Sequence, residues 1–420
     1  MAIIGVTETQ FKEILKANLT PSTSIKTPER LYGRDKNLKT VSKSLNSIGR
    51  QIFIFGDRGV GKTSLAVTAA QLHTSAKREP IYTVCAADSA FAEVIQSIVN
   101  GTIKLEDRFE RPSSGQSAGF SIMGSGVTVN KGTSRTISIP LPNSINDALD
   151  QIRYVARKGE GKQIVIVDEM ERIKSTEERY KFAEFIKNLG EIEEEINFIF
   201  CGIASDVNDI IGGHPSAGRI LEPIKLERLH HSDLWHIING VADKLGVKVE
   251  REYLIRISQI SDGFPHFVHL IGESMFWSLF EADDNLDSVR IEDFQAGIDG
   301  ALQRAETTLR SQYEKATKKT RLSEDYQEVL WALADTTSDT RQVSEVYSSS
   351  YKRIMSSRSN RNQLTREQFN QRLLSLKSEG HGEILDWIGS GWYGFREKMM
   401  RGYARLNAQK AGIELGRDAR

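Results

Sequence analysis

Residues 56–63 read Gly56-Asp57-Arg58-Gly59-Val60-Gly61-Lys62-Thr63, which fits the phosphate-cradling pattern G-x-x-x-x-G-K-[ST] at every fixed position. Before it stands Gln51-Ile52-Phe53-Ile54-Phe55, a short apolar run with the character of a buried strand. After it, Ser64 to His73 is rich in Ala and Leu and predicts a helix. A glycine-rich loop in that setting turns its backbone N–H groups, and the positive end of the following helix, toward one anion. The stretch therefore predicts a site for ATP and Mg²⁺ built from Gly56, Asp57, Arg58, Gly59, Val60, Gly61, Lys62, Thr63 and Ser64. Lys62 is expected to reach the β- and γ-phosphates, and the Thr63 hydroxyl to bind Mg²⁺.

The chain has 420 residues, room for two or three domains. Its 56 Lys and Arg balance 56 Asp and Glu, so any signal for nucleic acid must be local. No apolar run reaches the roughly 18 residues that span a bilayer. The opening residues Met1 to Glu8 lack the basic stretch and long apolar segment of a signal peptide. Cys85 and Cys201 lie in apolar, strand-like runs and read as core thiols of a reducing compartment. A cytoplasmic protein with no membrane partner is expected.

Outward from the loop, the chain divides into five parts. Residues 1–27 are a short helix (Glu8 to Ala17) and a polar linker. Residues 28–228 form a nucleotide-binding core in which strands at Gln51–Phe55, Ile81–Ala86, Gln163–Val167, Asn197–Ile203 and Ile224–Leu226 alternate with helices. That alternation predicts a parallel sheet covered on both faces. Within the core, 108–140 is rich in Gly and Ser and then alternates about Asn130-Lys131-Gly132. It reads as a loop with a β-hairpin or as a disordered surface insertion. Residues 229–315 carry apolar positions at helical spacing and predict an all-helical lid. Residues 316–410 predict three helices, a hairpin turning at Ile388-Gly389-Ser390-Gly391 and a last helix, and 411–420 is a tail.

The apolar strand Ile164 to Val167 ends in Asp168-Glu169. One carboxylate there can hold Mg²⁺ through its water shell, and the next can polarise the attacking water. Together with the Pro28 to Asp35 segment and the helical region behind the core, this ordered set resembles the AAA+ ATPases over about residues 28–310. Its nearest likeness is the initiator-type branch, the origin-recognition and cell-division-control ATPases. The resemblance implies a catalytic set of Lys62, Glu169, a γ-phosphate sensor at Ser205 (or Asp206) and an arginine finger at Arg219, with Asp168 and Thr63 on the metal. Arg219 also fits an ordinary surface arginine. The lid segment Ser261-Asp262-Gly263-Phe264-Pro265-His266 resembles the motif that opens the helix of the second sensor. It places His266 where relatives carry a basic residue. A neutral histidine would clamp a γ-phosphate poorly, and His266 and His269 also fit core or capping roles.

Residues 316–410 resemble a winged helix-turn-helix. Arg366, Gln368, Arg372 and Lys377 fall on polar faces of its third helix, with side chains suited to base edges and phosphates. Between 351 and 410, twelve Lys and Arg stand against five Asp and Glu, an excess of seven. That field suits a DNA backbone, and the same fold also serves protein contacts. The leading expectation is an AAA+ ATPase that assembles with ATP and loads, remodels or marks double-stranded DNA. The alternative is an ATP-switched signalling or antiviral defence ATPase whose oligomerisation controls a protein effector.

Overall fold

The computed structural model describes residues 3, 5–47, 49–102, 140–203, 217–283, 285–318, 322–358 and 360–417. The insertion expected over 108–140 lies outside the described residues except for Pro140, and Ser205 and Asp206 lie outside them too. The chain forms two compact units, one of Asn37–Phe55 and Ala66–Lys225, the other of Met1–Lys36, Gly56–Leu65 and Leu226–Arg420.

The first unit is built on a sheet of β1 (Gln51–Phe55), β2 (Ile81–Val84), β3 (Gln163–Asp168), β4 (Ile196–Gly202) and β5 (Leu221–Lys225). All neighbours are parallel, in the order β2-β3-β4-β1-β5. Parallel strands buried on both faces need nearly continuous apolar runs. Gln163 to Asp168 and Ile196 to Gly202 are buried throughout. Phe53, Val165, Val167, Phe198 and Phe200 alternate along their strands and share one face. There they pack with helices Phe91–Gly101, Ile145–Arg157 and Thr176–Leu189. Phe91 meets Phe182 edge-on at 5.0 Å, and Phe185 meets Phe198 at 5.7 Å. Each such ring removed from water contributes about 1.5–3 kcal/mol. Ser144 and Ser175 cap two of these helices through their hydroxyls, which sharpens both boundaries.

In the second unit, helix Glu8–Asn18 opens on a Thr7/Gln10 capping box. Its Phe11 stacks on Phe280 at 4.2 Å and meets Trp277 edge-on. Both belong to helix Pro265–Glu281, which is buried along most of its length. Further along, β6 (Thr340–Gln342), β7 (Leu385–Gly389) and β8 (Trp392–Phe395) make an antiparallel sheet ordered β6-β8-β7. The β7–β8 turn has Gly389, Ser390 and Gly391 all at positive φ, which explains the two glycines. The sequence predicts a helix from Gln342 to Ile354, but Thr340–Gln342 is a strand. The helical run begins at Val343 and passes through a π-helical segment, Val346–Tyr351. Three residues are too few to carry a period. What fixes them is Arg341, only 2% exposed, which donates to Ala332 O, Ser350 Oγ and Glu345 Oε1.

Candidate nucleotide site

The loop after β1 holds its shape through side chains of the second unit. Lys62, 8% exposed, donates from Nζ to the carbonyls of Gly56 (3.0 Å) and Asp57 (3.1 Å). Buried Arg34 donates to Val60 O at 2.8 Å. Burial pulls the Arg34 guanidinium down to about 10, against the opposing pull of Asp233 and Glu227. The Ile25 N–H donates to Ser64 Oγ at 3.1 Å. Gly59 has φ +81, a left-handed conformation that favours glycine, and Met399 packs against it closely enough that a Cβ would lie 2.5 Å from its Sδ.

The other two charged residues of the loop are also engaged. Arg58 pairs with Glu306 at 3.0 Å. Asp57 pairs with Arg228 at 3.2 Å, and the same guanidinium meets Asp339 at 2.8 Å and Asp262 at 3.1 Å. Burial lowers the Arg228 pKa, but Asp262, Asp339 and Asp57 outweigh it and leave the group above its ordinary value. Arg401 closes the cluster by pairing with both Asp262 (2.6 Å) and Asp339 (3.0 Å).

His266 sends Nδ1 to Pro21 O at 3.2 Å, and its buried Nε2 has no hydrogen-bond partner. Burial, only partly offset by Glu306, lowers its pKa. A neutral ring donating through Nδ1 presents a bare lone pair at Nε2, which cannot hold a phosphate. His269 is a core residue, and its Nδ1 accepts the Thr20 N–H at 3.4 Å. Burial, then His266, holds it down to about 4. The unfolded chain takes up this proton near pH 6.5, whereas the folded chain does so only near 4. Stability is therefore expected to fall as pH drops through that window, by about 3 kcal/mol in all. Urea titrations between pH 4 and 7 should show this slope, and His269→Gln should flatten it.

In the first unit, β1 and β3 end at the same edge of the sheet with β4 between them. Asp168 closes β3 and is 2% exposed. Its Oδ1 accepts the Glu169 N–H at 2.8 Å, and its Oδ2 accepts the Tyr82 hydroxyl at 2.9 Å. Burial, then the Asp168 charge, raises the Tyr82 pKa, so the hydroxyl stays a donor. Tyr82 is invisible to sequence reasoning, because only the β2–β3 register brings it within reach of Asp168. Arg228 is equally hidden in the sequence, because its partners Asp57, Asp262 and Asp339 lie far from it in the chain. Glu169 sits at φ +57, a left-handed conformation uncommon outside glycine. Its carboxylate pairs with Arg172 at 2.7 Å. Burial pushes the nearby Cys85 thiol up to about 12, which leaves it unreactive.

Arg219 is exposed on the short helix Ala217–Ile220 just before β5. On helix Arg366–Leu376, Arg366 is exposed and Gln368 serves the Thr365 capping box. Lys377 lies over Trp387 at 4.9 Å. Arg372 is held by Asp325 at 3.2 Å and covers Tyr326. Folding pairs much of the basic excess of 351–410 with carboxylates. Nine of its twelve cations form ion pairs. Seven carboxylates from outside that window take part, matching the excess: Asp262, Asp299, Glu324, Asp325, Glu328, Asp335 and Asp339.

A five-stranded parallel sheet in this order, with a Gly-rich loop after β1 and a carboxylate pair at the end of β3, is the P-loop NTPase fold as AAA+ proteins carry it. Residues 24–409 match the family Novel STAND NTPase 1 (nSTAND1), and the chain belongs to it. Solved structures that share the fold include the following two. The Walker-type ATPase PABY2304 of Pyrococcus abyssi has a TM-score of 0.54 at 14% identity, over 91% of this chain and 99% of that one. The ORC2 protein of Aeropyrum pernix, in ADPNP-ADP complexes, has a TM-score of 0.51 at 12% identity, over 94% and 98%. No curated protein sequence matches the chain. No described helix is long and apolar enough to cross a membrane.

Proposed function

We propose that the chain binds and hydrolyses ATP with Mg²⁺ and acts as a nucleotide-controlled switch for a protein effector. The observation that carries this reading is the bracing of the phosphate loop. Asp57, Arg58 and Gly59 are engaged by Arg228, Glu306 and Met399, all beyond residue 225. A phosphate entering that loop would draw Lys62 off the Gly56 and Asp57 carbonyls. Any shift of the loop would then be felt at Arg228, and so at Asp262 and Asp339.

Thr63 and Asp168 are the groups we assign to Mg²⁺. Among the described residues no cluster of three or more His, Cys, Asp or Glu could cage a metal. Mg²⁺ is commonly held by one or two protein groups together with the phosphates. The bound ion would draw charge from the phosphates, while Tyr82 and the Glu169 N–H keep the Asp168 carboxylate oriented. Glu169 would polarise the attacking water once its carboxylate leaves Arg172. Ser205 as sensor, Arg219 as a finger offered to a neighbouring copy, and the boundaries 28–228, 229–315 and 316–410 belong to the same proposal. So do ATP-dependent self-assembly and a cytoplasmic setting. The winged-helix reading of 316–410 rests on its helices and on the β7–β8 hairpin joined by β6.

The second reading, action on double-stranded DNA, has to contend with the nine paired cations of 351–410. Guanidiniums already held by carboxylates release few counterions on meeting a phosphate backbone. The deciding experiment compares wild type with Glu169→Gln, with ATP, with and without double-stranded DNA, at two salt concentrations. The effector reading expects ATP-driven assembly indifferent to DNA, and hydrolysis about 100-fold slower in Glu169→Gln with binding retained. Assembly that DNA stimulates and salt suppresses would move the assignment to DNA. Absence of any ATP binding in wild type would remove the ATPase reading itself.

A further inference from the structure

Away from the nucleotide loop, a cleft of about 370 Å³ opens between helix Arg251–Ser261 and the segment around Glu414 and Arg417. Its polar lining includes Arg251, Glu252, Arg256, Gln259, Glu414 and Arg417. On the helix, Glu252, Arg256 and Gln259 lie at spacings of three and four and share one face.

Arg256 is the unusual member. It is 7% exposed, yet its hydrogen bonds go to neutral acceptors: Gln259 Oε1 at 2.6 Å, Leu415 O at 3.5 Å and Gln409 Oε1. Its Nε is buried without a partner. The nearest carboxylate, Glu414, stands 3.9 Å away and is drawn instead to Arg417 at 2.8 Å. Burial outweighs Glu414 and lowers the Arg256 pKa, as expected of a cation that is poorly compensated. A buried cation is costly unless an anion meets it with good geometry. Arg251, over Trp235 at 5.8 Å, adds another guanidinium to the cleft.

We propose that this cleft is a binding site for a small molecule bearing a phosphate group, with Arg256 as its fixed anchor and Arg251 and Arg417 closing on the anion. Three guanidiniums offered from separate points suit a tetrahedral oxyanion, which accepts from several directions, better than a planar carboxylate. The cleft is larger than a phosphate needs and lies in the size range of small-molecule sites. The ligand's remaining atoms would lie along Ile255 and Gln259.

The test uses the full chain carrying Lys62→Ala, so that the nucleotide loop does not compete for phosphate. Thermal shift and calorimetry are run with inorganic phosphate and with glycerol 3-phosphate, at constant ionic strength. Saturable stabilisation is expected, weakened about tenfold by Arg251→Ala and by Arg417→Ala, which are exposed and should not disturb folding. Arg256→Gln should abolish it. A response to both probes marks an organic phosphate ligand, and a response to inorganic phosphate alone marks the free anion as its source. No saturable response to either, or one unchanged in Arg251→Ala and Arg417→Ala, overturns the proposal.

Discussion

Lys62→Ala is expected to lower ATP affinity by at least about 100-fold, equivalent to roughly 3 kcal/mol. The side chain is 8% exposed, and two of its three donors go to Gly56 O and Asp57 O. On the proposed reading, those carbonyls are what the ammonium would leave on turning to a phosphate. Alanine removes the only cation of the phosphate-cradling pattern that stands at a fixed position. It also leaves two carbonyls short of a donor, at a cost to stability of about 1–2 kcal/mol. Calorimetry with ATP and with ADP should show both affinities collapsing. If the variant bound ATP as tightly as wild type, the loop would not be the nucleotide site. A stability change alone, with affinity intact, would assign Lys62 a purely structural role.

The parts of the fold legible in the sequence are those set by local pattern. The run Gln51–Phe55 is a strand with the bounds expected of it, and Ile145–Arg157 is a helix where the sequence predicts one from Ile145 to Lys158. Apolar runs of five to seven residues between helices specify a parallel sheet almost by themselves. The glycines of the phosphate loop and of the β7–β8 turn announce their positive φ in the same local way. What could not be read is pairing across long distances. Strand β6 depends on β8, some fifty residues later. Tyr82 becomes relevant only because β2 lies beside β3. The ion pairs of the basic window 351–410 are hidden for that reason, since some of their carboxylates come from as far back as Asp262. Counting charges within a window assumes that they face solvent. Here Arg401 and Arg405, 3% and 1% exposed, face inward.

That inward-facing cluster is where the second large effect is expected. Asp262 closes helix Arg251–Ser261 in a left-handed conformation, φ 52, and its carboxylate is 3% exposed. It meets Arg401 at 2.6 Å, Arg228 at 3.1 Å and Arg405 at 3.3 Å. Arg405 also donates to the carbonyls of Ala334 and Thr336 at 2.7 Å and to that of Gln259. Removing one partner of a buried charge group costs about 3–5 kcal/mol, because the remaining charges stay buried. Asp262→Asn keeps the shape and tolerates the left-handed backbone, so it isolates the charge. Asp262→Ala should cost about 1 kcal/mol more than Asp262→Asn, for the strained φ alone. Arg228 would then rest only on Asp57 and Asp339, which ties it more closely to the phosphate loop. Asp262→Asn is therefore expected both to destabilise the chain and to slow nucleotide exchange. Denaturant titration and stopped-flow exchange of a fluorescent nucleotide measure the two effects separately. Loss of stability with unchanged exchange would make the cluster a structural clasp and remove Arg228 from the switch. Stability within about 1 kcal/mol of wild type would mean that the three guanidiniums do not depend on Asp262 at all.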